Sequence, residues 1–312
     1  MDNYLPMDDQ KQALRAKFRG HQKLKSKYIP LYPDSSEREM RRISNAYMKI
    51  VSEELKAILP EIMDAYDREI RKDSREDGLW DLGKKITDSF TRATDTIKLK
   101  TEDFGLGGTI SKAATGIKRS AIREWKRAVG KTLGVEVDEE YYKDEMYREA
   151  MDEWVRDRTD AFKEVPTDVM MLVRKKIEEG YQAGTPTSKI KKEIQHIYAT
   201  ARQTAADNAA GSVSLLNYEV SRKTQEDAGV REYMWYTRRD SKVRACHASF
   251  DGKTFRWDGP PEIWYQTKHN GKIWTGRYCA PGQDYNCRCR AVPVFKREDL
   301  SLPIANQQRK KV

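Results

Sequence analysis

The sequence is short of apolar residues, of cysteine and of long hydrophobic runs. Over 312 residues the apolar types make up 38% and the charged types 35%, against roughly 45–50% and about 25% in ordinary globular chains. No run approaches the ~18 apolar residues a spanning helix needs, so a membrane segment is excluded. The opening MDNYLPMDDQKQ has neither a basic n-region nor an apolar h-region and reads as no secretory signal. Four cysteines are too few for a disulfide scaffold, and all four lie between Cys246 and Cys289; that clustering suggests metal ligation. Gly105-Leu106-Gly107-Gly108 lacks the flanking strand and the Lys-Ser/Thr of a phosphate loop. No fixed-period repeat marks a solenoid. What the chain does have is 7 Trp, 16 Tyr and 7 Phe, enough for a core, and a net charge of +10.

Residues 36–227 read as an extended helical region. Ser36 and Glu39 have capping-box spacing. From there Met40, Ile43, Tyr47, Ile50/Val51, Leu55, Ile58, Ile62, Tyr66 and Ile70 recur at steps of three and four, on one helix face. Pro60 is expected to kink or split that helix, and its apolar face is expected to seek a partner outside the region. Leu82, Ile86 and Phe90 continue the pattern, a flexible break is expected at 104–108, and Ile122, Trp125 and Val129 form another short stripe. A helix is expected from about Asp138, burying Tyr142, Met146, Ala150, Trp154 and Phe162, and another from Pro166 with Val169, Val173 and Ile177 inside. Thr185-Pro186 makes an N-cap and first-turn pair for the helix through Ile190, Ile194 and Ile197, and a further helix is expected through 199–220.

Near Gly229 the pattern changes. Val230–Thr237 alternates with period two and reads as a strand; Thr254–Trp257 and Arg290–Phe295 are two more. Asp251-Gly252, Asp258-Gly259-Pro260-Pro261, Asn270-Gly271 and Pro281-Gly282 mark turns. The fold class expected is therefore mainly α with a small β-rich C-terminal module, an α+β chain. The expected divisions are a basic arm over 1–35, helices over 36–227, the module over 228–297 and a basic tail over 298–312.

Within the module the candidate metal ligands are His247, Cys287 and Cys289, with Cys279 or Cys246 completing four. Thiolate and imidazole are the ligands zinc prefers, and a small loop-rich module is where a structural ion replaces a missing core. One structural zinc is the expected cofactor. If Cys246-His247 is extended, only one of the pair reaches the ion. Arg288, between its cysteines, is expected to point away and pair with a carboxylate such as Asp240. The alternatives are reduced, buried thiols, or a Cys279–Cys289 or Cys246–Cys287 disulfide. A metal nuclease built on His247, Asp251 and His269-Asn270 is a weaker reading, because paired CxxC sets are missing and 269–271 reads as a turn.

Charge is concentrated in two places. Residues 98–131 hold nine basic residues against three acidic, and residues 1–30 hold seven against three. Lys112, Lys118, Arg119, Arg123, Lys126, Arg127 and Lys131 are candidates for sequence-independent contact with DNA phosphates; a solvated helix face or an acidic protein partner is the alternative.

Asp240-Ser-Lys-Val-Arg244-Ala-Cys-His247, then Asp251-Gly252, then Asn286-Cys287-Arg288-Cys289 resemble the C-terminal signature of the phage minor head proteins, a head morphogenesis family similar to the phage Mu head protein F. The resemblance covers roughly 165–297 and includes Ala199-Thr-Ala-Arg202-Gln-Thr204, where relatives read I-A-R-T-E and this chain lacks the glutamate. It marks Asp240, Arg244, His247, Gly252, Cys287, Arg288 and Cys289; some relatives place a histidine three residues before the first cysteine, where this chain has Asp284, which the resemblance adds to Cys279 and Cys246 as an alternative fourth ligand. It implies a low-copy structural protein of a tailed-phage head, made in the bacterial host cytoplasm and residing in the virion. The implied partners are the portal or major capsid protein and packaged DNA, and no enzymatic activity is implied. A packaged metal-dependent nuclease or toxin-like enzyme is the alternative.

Overall fold

The computed structural model describes residues 5–71, 75–138, 140–268 and 271–305. In chain order it contains α1 (Met7–Phe18), β1 (Lys23–Lys25), α2 (Asp34–Arg71), α3 (Arg75–Asp103), α4 (Leu106–Leu133), α5 (Asp144–Gln182) and α6 (Thr187–Asp227). Then follow β2 (Glu232–Tyr236), α7 (Ala245–Phe250), β3 (Thr254–Arg256), β4 (Glu262–Thr267), β5 (Gly271–Tyr278) and β6 (Arg290–Lys296). The chain is thus mainly helical with a small β module near its C-terminal end, as its patterning indicates.

The helices are longer and fewer than local signals suggest. α2 runs unbroken through Pro60 and α5 through Pro166, so neither proline starts or splits a helix. A proline forfeits one backbone hydrogen bond and crowds the preceding turn, but the apolar stripe continues in phase on both sides and its burial outweighs that loss. α6 likewise spans both of the helices expected over 190–220. Of the break expected at 104–108, only Phe104 and Gly105 leave the helix; Gly105 takes φ +60°, and Leu106-Gly107-Gly108 already belong to α4. α5 begins at Asp144, and its first inward residue is Tyr147 in place of Met146. Asp138 instead holds a turn, accepting from the Glu140 N–H.

Two compact units divide the chain, each assembled from non-consecutive segments. One comprises residues 38–113 and 155–210. Its core joins Val51, Leu55, Ile62 and Tyr66 of α2 to Leu82, Ile86, Phe90 and Ile97 of α3, Val169, Val173 and Ile177 of α5, and Ile190 and Ile194 of α6. Each such side chain, fully buried, contributes about 1.5–3 kcal/mol. The α2 stripe therefore finds its partners inside the chain, correcting the expectation that it seeks an external one. Tyr66 Oη also donates to the Thr185 carbonyl (2.7 Å), tying α2 to the turn before α6.

The other unit comprises residues 1–37, 114–154 and 211–312. Its four-stranded sheet has the order β1-β6-β2-β3, with every pairing antiparallel. Tyr233 and Trp235 of β2 point inward at alternate positions and are fully buried. Trp125 of α4 packs on Phe295 of β6 (ring centroids 5.9 Å) and donates to Tyr142 Oη (2.7 Å). The segment read as a basic arm supplies α1, with Leu14 and Phe18 buried, and β1, whose Leu24 pairs with Phe295. Leu300, Leu302 and Ile304 are buried too, and Ile304 bridges to Val137; the lysines of the expected tail lie outside the described residues. β4 and β5 form a separate hairpin that presents Tyr265, Trp274 and Tyr278 to solvent. Among the described residues no helix is long and apolar enough to cross a membrane.

Candidate functional site

Three of the residues singled out from the sequence meet in this second unit. His247 sits on α7, so Cys246 and His247 are helical and not extended as assumed. Cys287 and Cys289 lie on the chain leading into β6. Residues i and i+2 of an extended chain face the same side, which is how the tight Cys-x-Cys spacing turns both sulfurs inward and Arg288 outward. The Cys287 and Cys289 Sγ atoms each lie 3.7 Å from His247 Nδ1. All three side chains are buried, and their ligand atoms fall within 4.8 Å of one another.

The opposite ring nitrogen of His247 faces a carboxylate. Nε2 lies 3.5 Å from Asp284 Oδ2, and Asp284 in turn accepts from Arg244 (2.8 Å). Asp284 thus lies beside the far ring nitrogen, and its carboxylate is not one of the clustered ligand atoms. Cys279 and Cys246 are buried but do not belong to the 4.8 Å cluster. All four cysteines are free thiols, so neither disulfide considered above is formed.

The charge state follows from these contacts. A hydrogen bond from the Cys289 thiol holds the Cys287 pKa well below the usual thiol value; burial opposes this, and His247 reinforces it. Donating that hydrogen bond to Cys287, together with burial, pushes the Cys289 thiol up. For His247, burial lowers the pKa, but Asp284 and Cys287 outweigh it and raise the value to about 9. Asp284 is opposed by burial yet held below the ordinary carboxylate value by His247 and Arg244. These directions favour negative charge on Cys287 and positive charge on His247. The backbone N–H groups of Gly282 and Cys289 also donate to Cys287 Sγ, both at 3.4 Å. A thiolate beside a histidine backed by a carboxylate can also serve as a nucleophile, but Cys287 is only 2% exposed.

The remaining signature residues serve this geometry. Arg288 pairs with Asp240 (2.9 Å), the partner its outward direction suggests. Gly252 takes φ +77°, a region side chains resist, and donates to the Trp235 carbonyl at 2.8 Å. Asp251 accepts from the Thr237 N–H (2.8 Å) and hydroxyl (3.0 Å) and from Arg239 (3.1 Å); those bonds occupy it as a loop clamp. His269 and Asn270 of the nuclease reading lie outside the described residues. Asn286 is left-handed at φ +51°, and its side chain sits where a Cβ on Gly211 of α6 would be. The sequence reading did not anticipate Trp235 against His247 (ring centroids 5.2 Å), and the only sequence cue is the inward phase of β2.

The basic set on α4 is less available than its composition suggests. Lys118 is buried, lies 5.9 Å over the Tyr147 ring and pairs with Asp144, so it does not reach solvent. Arg123 and Arg127 both pair with the buried Glu124. Lys112, Arg119 and Lys131 are exposed and Lys126 half-buried.

No solved structure matches the chain. An uncharacterized protein of Haemophilus influenzae is 27% identical over 151 residues, a match covering 47% of this chain and 31% of that protein; the chain thus spans about a third of the length of the relative it matches. Residues 171–292, which contain every pairing from Asp240 to Cys289 described above, match the family of phage Mu protein F like proteins.

Proposed function

We propose that this chain is a minor structural protein of a tailed-phage head, acting in head assembly through the portal or the major capsid protein. The observation that carries this reading is the match of residues 171–292 to phage Mu protein F like proteins. The chemistry of the matched segment supports it. Its polar signature residues are engaged in internal pairs, Asp240 with Arg288, Arg244 with Asp284 and Asp251 with Thr237 and Arg239. Such pairing engages these side chains with one another, as in a scaffold. The exposed Tyr265, Trp274 and Tyr278 of the β4–β5 hairpin are of the type enriched at protein interfaces. The exposed cations of α4 suit packaged DNA as a second, sequence-independent contact.

The test is quantitative mass spectrometry of purified phage particles, with head and tail fractions separated. The chain is expected in heads at a few to tens of copies, and deletion of its gene is expected to yield defective heads. Absence from heads, together with normal head assembly in the deletion, would overturn the reading.

A further inference from the structure

We propose that His247 Nδ1, Cys287 Sγ and Cys289 Sγ hold one zinc ion as its three protein ligands, with a water in the fourth position. The argument begins with distance. Zinc bonds of about 2.3 Å to sulfur and about 2.0–2.1 Å to nitrogen put the N and S atoms of a tetrahedral ion about 3.6 Å apart. Both nitrogen–sulfur separations here are 3.7 Å. One nitrogen equidistant from two sulfurs is what a common centre requires, whereas a single thiol–imidazole hydrogen bond constrains only one of the two.

The surroundings agree. The Gly282 and Cys289 N–H groups donate to Cys287 Sγ, the kind of donor that stabilises sulfur carrying negative charge. Asp284 Oδ2 stands 3.5 Å from Nε2, the far edge of the ring, as a charged neighbour without hydrogen-bond geometry, which leaves Nδ1 turned to the two sulfurs; a carboxylate that closes onto that nitrogen orients a ligating histidine. The N,S,S donor set suits zinc over the harder cations. Burial of all three ligands keeps the ion dry on their side. Because Cys246 and Cys279 stand outside the cluster, neither fills the fourth position.

The experiment uses the full chain, purified without chelator or histidine tag. Elemental analysis is expected to return about one zinc per chain, and cobalt exchange to give visible tetrahedral bands with near-ultraviolet sulfur-to-cobalt charge transfer. Cys287→Ser and Cys289→Ser are expected to lose the metal. Since those variants test folding as well, Asp284→Asn is the second probe: it retains all three ligands and is expected to bind zinc about 10–100-fold more weakly. Cys246→Ser and Cys279→Ser are expected to keep full stoichiometry. Overturning results are a metal-free native chain without cobalt bands, a Cys287–Cys289 disulfide, rapid alkylation of Cys287 in the native chain, or loss of zinc in Cys246→Ser or Cys279→Ser. None of these outcomes depends on whether the chain resides in a phage head.

Discussion

Asp251 illustrates how a residue that invites a catalytic reading is claimed by structure. Burial raises its pKa, but the two Thr237 donors and Arg239 outweigh that and hold it below the ordinary carboxylate value. A group depressed in the folded state stabilises fully above its unfolded value, about 3.9, and that contribution is lost as pH falls through the folded value. Asp251→Asn is therefore expected to reduce stability at pH 7 by about 1 kcal/mol, with the gap to wild type closing toward pH 3. Urea unfolding at the two pH values checks this; a gap that persists at pH 3 would mean the carboxylate charge is not what matters. The same residue scale explains the signature's asparagine and glycine: both occupy left-handed backbone, Asn286 immediately before Cys287 and Gly252 where its N–H reaches the Trp235 carbonyl.

At the scale of elements, α2 and α5 carry proline inside a helix whose apolar phase never slips. Pro60 faces solvent, so its replacement leaves the core untouched. Pro60→Ala restores a hydrogen bond and removes the ring clash, and is expected to stabilise the chain by about 1–3 kcal/mol. Chemical denaturation followed by helical circular dichroism measures it; destabilisation would show that the packing around α2 has adapted to the proline. In the sheet, β1 pairs through its backbone with β6. Its three residues carry no strand pattern of their own, yet they complete one edge through Lys23–Lys296, Leu24–Phe295 and Lys25–Val294.

At the scale of the whole molecule, net charge and its placement govern association. The net +10 favours long-range attraction to polyanions, but burial withdraws Lys118 from the basic stretch on α4, and Arg123 and Arg127, though exposed, are partly neutralised by Glu124. If the proposed DNA contact uses that helix, Arg119 and Lys131 are the cations to reverse. The double variant Arg119→Glu, Lys131→Glu is expected to weaken binding to duplex DNA several-fold at low salt and to flatten the dependence of affinity on salt by about two ions. Filter binding across a salt series measures both. An unchanged slope would assign α4 to a protein partner.

Helical periodicity was legible from residue spacing alone, because i, i+3 and i+4 positions share a face whatever lies opposite them. The strands β2, β3 and β6 and the gathering of His247, Cys287 and Cys289 in one module were legible for similar local reasons. What lay opposite was decided only by tertiary structure. The α2 stripe looked unpartnered because its partners come from three other helices up to about 140 residues away in sequence. Both prolines looked like boundaries because propensity counts the lost hydrogen bond and not the core that holds the helix on either side. The position of Asp284 beside Nε2 of His247 was not legible, because it arises from the 40-residue return of the chain between α7 and β6. Local pattern specifies which face each element buries; loop closure and packing select the partner that meets it.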